Sequence, residues 1–230
     1  MKHLSLLPLL SVLFAGCSAP AAQEQTPPAA PAAAPETAPA KTYRVAEARN
    51  PDPAYQAAMK KVALPPPPLD TKIAPLTRVV MDTSRGPITL ELDAGAAPLH
   101  VRSFLYLTGK GFFDGIKFHR HADLSGDGNG FIIQGGDPLT KTKETAEFAG
   151  QGGPGYEIPR EFNALKHDRL VIAAARSQDP DSAGSQFYIT QGAVPFLDEG
   201  YTVFGKVVSG QDAALKLREN DLIKNVKVQK

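Results

Sequence analysis

The chain has 230 residues, 42% hydrophobic and 21% charged, with 25 Lys+Arg against 24 Asp+Glu. A phosphate-tracking surface shows as a clear basic excess, so this balance excludes a dedicated nucleic-acid binder and argues against docking on an anionic membrane surface. Thirteen of the 21 prolines lie between Pro20 and Pro75, and ten of the 11 phenylalanines lie at or after Phe104, so a core-poor front precedes one core-rich domain that begins near Leu76. A domain of about 150 residues buries roughly 70% of its unfolded surface and stands without staples.

The front reads first as an address. Lys2 supplies a positive start, Leu4 to Phe14 an apolar run, and Ala15, Gly16 and Cys17 a small-residue end, which together mark residues 1–16 as a secretory signal. The run is short of the about 20 apolar residues that span a bilayer, and Pro8 interrupts it. Cys17 is the only cysteine, so no intrachain disulfide is possible. Phe14-Ala15-Gly16-Cys17 resembles a bacterial lipobox, with Phe14 where Leu is usual. The resemblance implies that Cys17 is lipidated and becomes the mature N-terminus. Ser18 in place of Asp after it implies the periplasm and outer membrane of a Gram-negative bacterium. An ordinary cleaved signal with an incidental cysteine is the alternative.

From Cys17 to residue 75 a tether is expected. Residues 18–41 are almost entirely Ala, Pro, Gln, Glu and Thr, too poor in apolar surface to fold alone. In a polyproline-like form at about 3.1 Å per residue, this stretch reaches roughly 75 Å. Asp52 as N-cap, Pro53 at the first helical position, and Tyr55, Ala58, Met59 and Val62 at helical spacing predict a short helix over 53–62. A pad docked on the domain is the favoured role for that helix, and a partner-binding segment the other. Pro65 to Pro68 end it.

Within the domain, residues 76–230, Val79 to Asp82 and the alternating Ile88, Leu90 and Leu92 flank a Ser-Arg-Gly-Pro turn and predict a strand pair. Pro98 opens a helix that Gly109 or Gly111 stops. Further strands are expected at Ile116 to His119, Phe131 to Gln134, Leu170 to Ala174, Phe187 to Thr190, Thr202 to Val208 and Ile223 to Val228. Ser209 with Asp212 reads as the capping box of a second helix, through about Leu217. Eight short strands and two helices predict a mainly β fold: a closed eight-stranded antiparallel barrel capped by two α-helices.

Four local motifs carry less than they suggest. Gly150-Gln151-Gly152-Gly153-Pro154-Gly155 matches a dinucleotide-loop spacing, but no strand precedes it and no helix follows, so a surface loop is expected. His119 and His121 lack a third metal ligand nearby. Asp123, Ser125, Asp127 and Gly128 echo half a calcium loop whose twelfth position is Gln134 rather than Glu, so a mobile loop is expected instead. Ser185 lacks the glycine two residues on that a nucleophile elbow requires.

What remains is an ordered set: Phe118-His119-Arg120, Phe131-Ile132-Ile133-Gln134-Gly135-Gly136-Asp137, Gly184-Ser185-Gln186-Phe187, Phe196-Leu197-Asp198 and Val203-Phe204-Gly205-Lys206. In these residues the chain resembles the cyclophilin family of peptidyl-prolyl cis-trans isomerases, from about Val79 to Val228. The resemblance implies the eight-stranded barrel with two helices, no cofactor and no metal. It places Arg120 at the family's catalytic arginine and Gln134 where that arginine and the substrate carbonyl are oriented. Phe131, Ile132, Phe187, Leu197 and Tyr201 fall at the proline pocket, with Phe131 counted among the catalytic residues. Gln186, Ala175 and Arg176 fall along the groove for preceding residues, and Phe196 stands where cyclosporin-sensitive members carry Trp.

Three departures stand out. Six extra residues lie between Arg120 and Phe131, in the loop from His121 to Gly130; Ala174 takes a place often held by Met; and Arg176 takes one often held by Asn. The expected partners are proline-containing segments of unfolded or exported proteins, met by a monomer. A non-catalytic binder of Pro-containing peptides and a tethered scaffold acting through residues 42–75 are the competing readings.

Overall fold

The computed structural model describes residues 42–46 and 50–229. Cys17, the signal 1–16 and the Ala/Pro-rich stretch 18–41 lie outside the described residues. The first described element is a two-residue strand, β1 (Arg44–Val45), followed by α1 (Pro53–Val62). Asp52 caps α1 by accepting from the Ala54 amide at 2.7 Å, and Pro53 occupies the first turn, where its missing N–H is not needed. Tyr55 and Ala58 bury against Leu139 and Phe148 of the domain, with Met59 and Val62 beside them.

Within the stretch expected to run as a tether to residue 75, Tyr43 and α1 pack on the domain, α1 in the docked-pad arrangement favoured from its sequence. Tyr43 is buried in the main core, its ring edge-on to Tyr156 at 5.4 Å and its hydroxyl donating to the Leu99 carbonyl at 2.9 Å. Arg44 holds the Glu157 and Asp179 carboxylates at 2.9 Å each.

The domain proper contains β2 (Leu76–Thr83), β3 (Gly86–Asp93), α2 (Pro98–Gly109), β4 (Arg120–Asp123), β5 (Phe131–Gly135), β6 (Tyr156–Glu157), β7 (Val171–Ala174), β8 (Phe187–Thr190), β9 (Val203–Ser209), α3 (Gln211–Lys216) and β10 (Ile223–Val228). β1 pairs with β6 as a small separate ribbon. The other strands form one antiparallel sheet in the order β10-β2-β3-β9-β7-β8-β5-β4.

That sheet is curled but its ladder has two ends, so the closed barrel expected from the strand count is corrected to an open one. Residues 115–118 run between the ends without forming a strand. Phe118 donates its amide to Asp221 at 2.9 Å, and Ile223 donates to Ile116 at 2.8 Å. The strand expected at Ile116 to His119 lies four residues later, as β4. It forms a hairpin with β5 in which Arg120 faces Gln134 and Asp123 faces Phe131.

Both capping helices are present, α2 starting at Pro98 as expected and α3 with a different cap from the one expected. At α2 no local side chain serves; the Glu161 carboxylate arrives from 62 residues away and accepts the Leu99 and His100 amides at 2.9 and 3.0 Å, placing negative charge at the helix N-terminus. At α3 the Ser209 capping box does not form. Ser209 ends β9, and the N-cap is Gly210 at φ +77, where an added Cβ would lie 2.2 Å from the Pro87 carbonyl oxygen. Only glycine makes that turn so close to β3.

Inside the sheet lie Phe104, Phe113, Phe187 and Phe204, whose rings meet at centroid distances of 4.7 to 6.0 Å. Burying each such side chain contributes about 1.5–3 kcal/mol relative to exposure. This shared core fixes β8 beneath α2, and β8 in turn fixes the functional face.

Candidate active site

Directly paired residues of an antiparallel sheet share a face. Arg120 pairs with Gln134, Gln134 with Tyr188, and Tyr188 with Ala173, so these four form a row across β4, β5, β8 and β7. The Arg120 guanidinium donates to Gln134 Oε1 at 3.4 Å. Gln134 Nε2 donates to Gln186 Oε1 at 2.9 Å, and Gln186 Nε2 donates to the carbonyls of Gly150 and Gly152 at 2.9 and 2.8 Å. A polar relay thus runs from the glycine-rich loop to the exposed arginine.

The loop has its own anchor. Asp137 is fully buried and accepts the amides of Leu139, Gly150 and Gly152 at 2.8, 2.5 and 3.0 Å. That places the aspartate of the QGGD motif as the post on which residues 150–152 hang, a structural use of the glycine run. Ser185 is buried and donates to the Gly136 carbonyl at 2.7 Å, so its hydroxyl fastens two motifs together.

Beside the row lies an apolar floor. Ile132, Tyr188, Ala173, Val194 and Val203 are buried together, with Leu197, Tyr201 and Ala175 packed against them. Of the residues expected at the proline pocket, Ile132, Leu197 and Tyr201 lie together here, and Ala175, expected along the groove, packs beside them. Phe187 is not: it faces the main core, 1% exposed, against Phe104, Phe113 and Phe118. Its neighbour Tyr188 turns to the floor instead, and this residue the sequence reading missed. Tyr188 is held by His167, whose Nε2 accepts its hydroxyl at 3.0 Å while Nδ1 faces Asp198 at 3.0 Å.

Two other expected pocket residues sit apart from this floor. Phe131 is half-buried and stacks on His121 at 4.9 Å, while His121 bonds to Gln191 at 2.9 Å. Phe196 stands in a 3-10 turn, Pro195–Leu197, and is 59% exposed. It forms a rim rather than a wall.

The loop expected to be mobile is internally bonded. Asp123 accepts the amides of Ser125 and Gly128 at 3.1 and 2.7 Å, and Gly130 donates to Ser125 Oγ at 2.9 Å. The Gly128 amide first, and then the Ser125 hydroxyl and amide, hold the Asp123 carboxyl below its ordinary range. His119, in the motif before Arg120, is half-buried with its ring nitrogens out of solvent, and this desolvation depresses its pKa below the usual imidazole value despite the Asp137 charge nearby.

On the other side of the relay opens a groove of about 500 Å³, lined by Gln134, Gln186, Ala175 and Arg176 among others. Arg176 lies with its guanidinium 4.3 Å from the Tyr201 ring centroid and donates to the Gly200 carbonyl through Nε and Nη2 at 3.1 and 2.9 Å. A flat cation clamped on an aromatic face is a fixed wall between floor and groove.

Comparison with known proteins places this geometry. Residues 78–230 match the family described as cyclophilin type peptidyl-prolyl cis-trans isomerase/CLD. The chain is 38% identical over 160 residues to a probable peptidyl-prolyl cis-trans isomerase of Brucella suis, covering 66% of this chain and 79% of that one. It is 34% identical over 161 residues to a peptidyl-prolyl cis-trans isomerase of Helicobacter pylori, covering 68% and 90%. Among solved structures, a cyclophilin type peptidyl-prolyl cis-trans isomerase of Cryptosporidium parvum superposes with a TM-score of 0.57 at 28% identity, covering 67% of this chain and 98% of that one. The same protein in the presence of the dipeptide Ala-Pro gives 0.56 at 29% identity, covering 66% and 99%. With the family matched along the whole sheet, the chain belongs to the cyclophilin-type peptidyl-prolyl cis-trans isomerases.

Proposed function

We propose that this chain speeds rotation about X-Pro bonds by holding the twisted amide more tightly than either planar form, with Arg120 as the group that meets the prolyl nitrogen. Amide resonance sets a barrier of about 18–20 kcal/mol, and it is lost when the C–N bond turns perpendicular. No bond breaks, so the catalyst acts by differential binding alone.

On twisting, the prolyl nitrogen becomes pyramidal and regains a lone pair. A guanidinium is a donor that stays protonated, and Arg120 is exposed beside the apolar floor that would seat the pyrrolidine ring. Gln134 accepts from Arg120 and donates one amide N–H to Gln186, which leaves its second N–H for the substrate carbonyl. Ile132, Tyr188, Leu197 and Tyr201 form the seat, and the Ala-Pro dipeptide used with the structural relative is the smallest substrate of that shape. The observation that carries this reading is the Arg120-Gln134-Gln186 relay on the edge of an apolar floor.

The decisive experiment is NMR exchange spectroscopy on an Ala-Pro peptide with the chain from residue 18 onward and its Arg120→Ala variant. Enhanced exchange with the first and a loss of about 10²-fold or more in the variant supports the assignment, as for removal of one preorganised donor. Peptide binding without enhanced exchange by the unsubstituted chain would make this a binding module.

The proposed setting is the periplasm of a Gram-negative bacterium, with Cys17 lipidated in the outer membrane and proline-containing segments of exported proteins as clients. It rests on the residue pattern around Cys17. Mass spectrometry of the mature N-terminus tests it: an acylated Cys17 supports the anchor, and a free amine at a later residue removes it.

A further inference from the structure

The groove beside the relay has a second wall that lies outside the family-matched stretch. α1, at residues 53–62, precedes residue 78, yet Gln56, Met59, Lys60 and Ala63 line the groove opposite Gln186 and Arg176. The helix is fastened there. Tyr55 donates to the Gln151 carbonyl at 2.9 Å, Asn50 bonds to the Gln151 amide side chain at 2.7 Å, and the Leu64 amide donates to Pro154 at 2.8 Å. Because residues 150 and 152 also receive Gln186, helix and relay share one support.

The charges in this groove are uneven. Glu157 is engaged by Arg44 at 2.9 Å, and Asp137 is consumed by backbone amides. Arg176 spends its donors on neutral carbonyls, those of Gly200 and Ser177, so its charge meets no carboxylate among the described residues. Lys60 is exposed at the last turn of α1 and likewise forms no ion pair among the described residues. A chain leaving the apolar floor across Gln134 and Gln186 enters a channel with a cation on each side and an apolar patch, Met59, between them.

Building on the isomerase reading, we propose that α1 is the far wall of the substrate groove, and that Lys60 selects X-Pro segments carrying an acidic side chain upstream of the proline. The occupant is an extended acidic peptide continuous with the proline held at Arg120.

The test uses the full-length chain and its Lys60→Glu variant on peptides that place either Glu or Lys two, three or four residues before one proline, with kcat/KM read by NMR exchange. An exposed ion pair supports a preference of about 2–5-fold. The unsubstituted chain is expected to favour Glu by that factor at one of these positions, chiefly through KM, and K60E to favour Lys there. The preference should collapse in about 0.5 M salt, where the screening length drops to a few ångströms. An equal Glu-to-Lys ratio for both proteins, or a preference that salt does not touch, overturns the proposal. Exchange of a short Ala-Pro peptide by the unsubstituted chain reports the catalytic face separately: its absence overturns the isomerase reading, whereas its presence without selectivity overturns only the role of α1.

Discussion

Gln134 donates to Gln186 at 2.9 Å, and through that bond the exposed Arg120 is tied to the carbonyls of Gly150 and Gly152. A long side chain at a sheet edge has many rotamers, and the relay removes them before substrate arrives. Preorganisation of this kind is where a catalyst without covalent chemistry has the most to lose, since a misplacement of about 1 Å can lower a rate by about 10²-fold.

Gln186→Leu keeps the size of the side chain and deletes every bond it makes. Leucine leaves Gln134 without its acceptor and the two glycine carbonyls without their donor, so Arg120 is no longer held on that side. The expected result is a fall in kcat of about 10–100-fold, with KM for a short Ala-Pro peptide changed less than about three-fold. A kcat equal to that of the unsubstituted chain would show that the relay does not position Arg120.

Much of this arrangement is legible in the residues alone, and the failures have physical causes. Ile88, Leu90 and Leu92 alternate because β3 has one buried face, and that face is read correctly. β8 is buried on both faces, so Phe187, Tyr188 and Ile189 show no alternation, and nothing local tells which ring enters the floor. The pairing of Tyr188 with Gln134 decides it, and pairing is a long-range property. The same holds at α2, whose cap comes from Glu161, and at β1, where two residues carry no period to read. α1 was visible from Asp52 and Pro53, but its place beside Gln186 depends on Tyr55 reaching Gln151. The open ladder follows from residues 115–118, which meet 221–223 through single bonds rather than a paired strand, and that too is a long-range property.

Stability should fall on mild acidification. His119 and His167 are both held below the ordinary imidazole pKa of 6.5, chiefly by burial, against the opposing pull of Asp137 and Asp198 respectively. The folded chain keeps them neutral while the unfolded chain takes up their protons below about 6.5. Stability is therefore complete above pH 6.5 and is lost as pH falls from there through the depressed folded values, at up to about 1.4 kcal/mol per pH unit for each imidazole. Urea melts at pH 7.5, 6.5, 5.5 and 4.5 measure this, and His167→Gln should flatten the slope. Midpoints that stay constant from 7.5 to 4.5 would mean that neither histidine is kept neutral by the fold.

The junction between the QGGD and GSQ motifs tolerates no side chain at Gly136. Its φ is +91, and an added Cβ would lie 2.2 Å from the Ser185 carbonyl oxygen, backbone that cannot give way without moving Gln186. Gly136→Ala should therefore destabilise by more than the about 1 kcal/mol of ordinary left-handed strain, and displace the relay with it. In contrast, Ser185→Ala removes one hydroxyl bond to Gly136, at about 1 kcal/mol, with the backbone in place. Thermal melts of the two variants should separate clearly, and a Gly136→Ala protein as stable as Ser185→Ala would show that the two segments can part without loss.

Tyr188 offers the sharpest separation of floor from core. Its ring is in the floor and its hydroxyl donates to His167 Nε2, so Tyr188→Phe leaves the apolar surface intact and strands a fully buried ring nitrogen. An unsatisfied buried acceptor costs about 1–3 kcal/mol, which for a chain of this size lowers Tm by roughly 2–12 °C. Since the phenyl ring still seats a pyrrolidine, kcat/KM at 25 °C should stay within about three-fold. Phe187→Leu gives the complementary pattern: it opens the core beneath α2, where Phe104 and Phe113 pack, and leaves the floor untouched. If instead Phe187→Leu raised KM for the Ala-Pro peptide at unchanged Tm, the ring would belong to the substrate site, and the assignment of the two faces of β8 would be reversed.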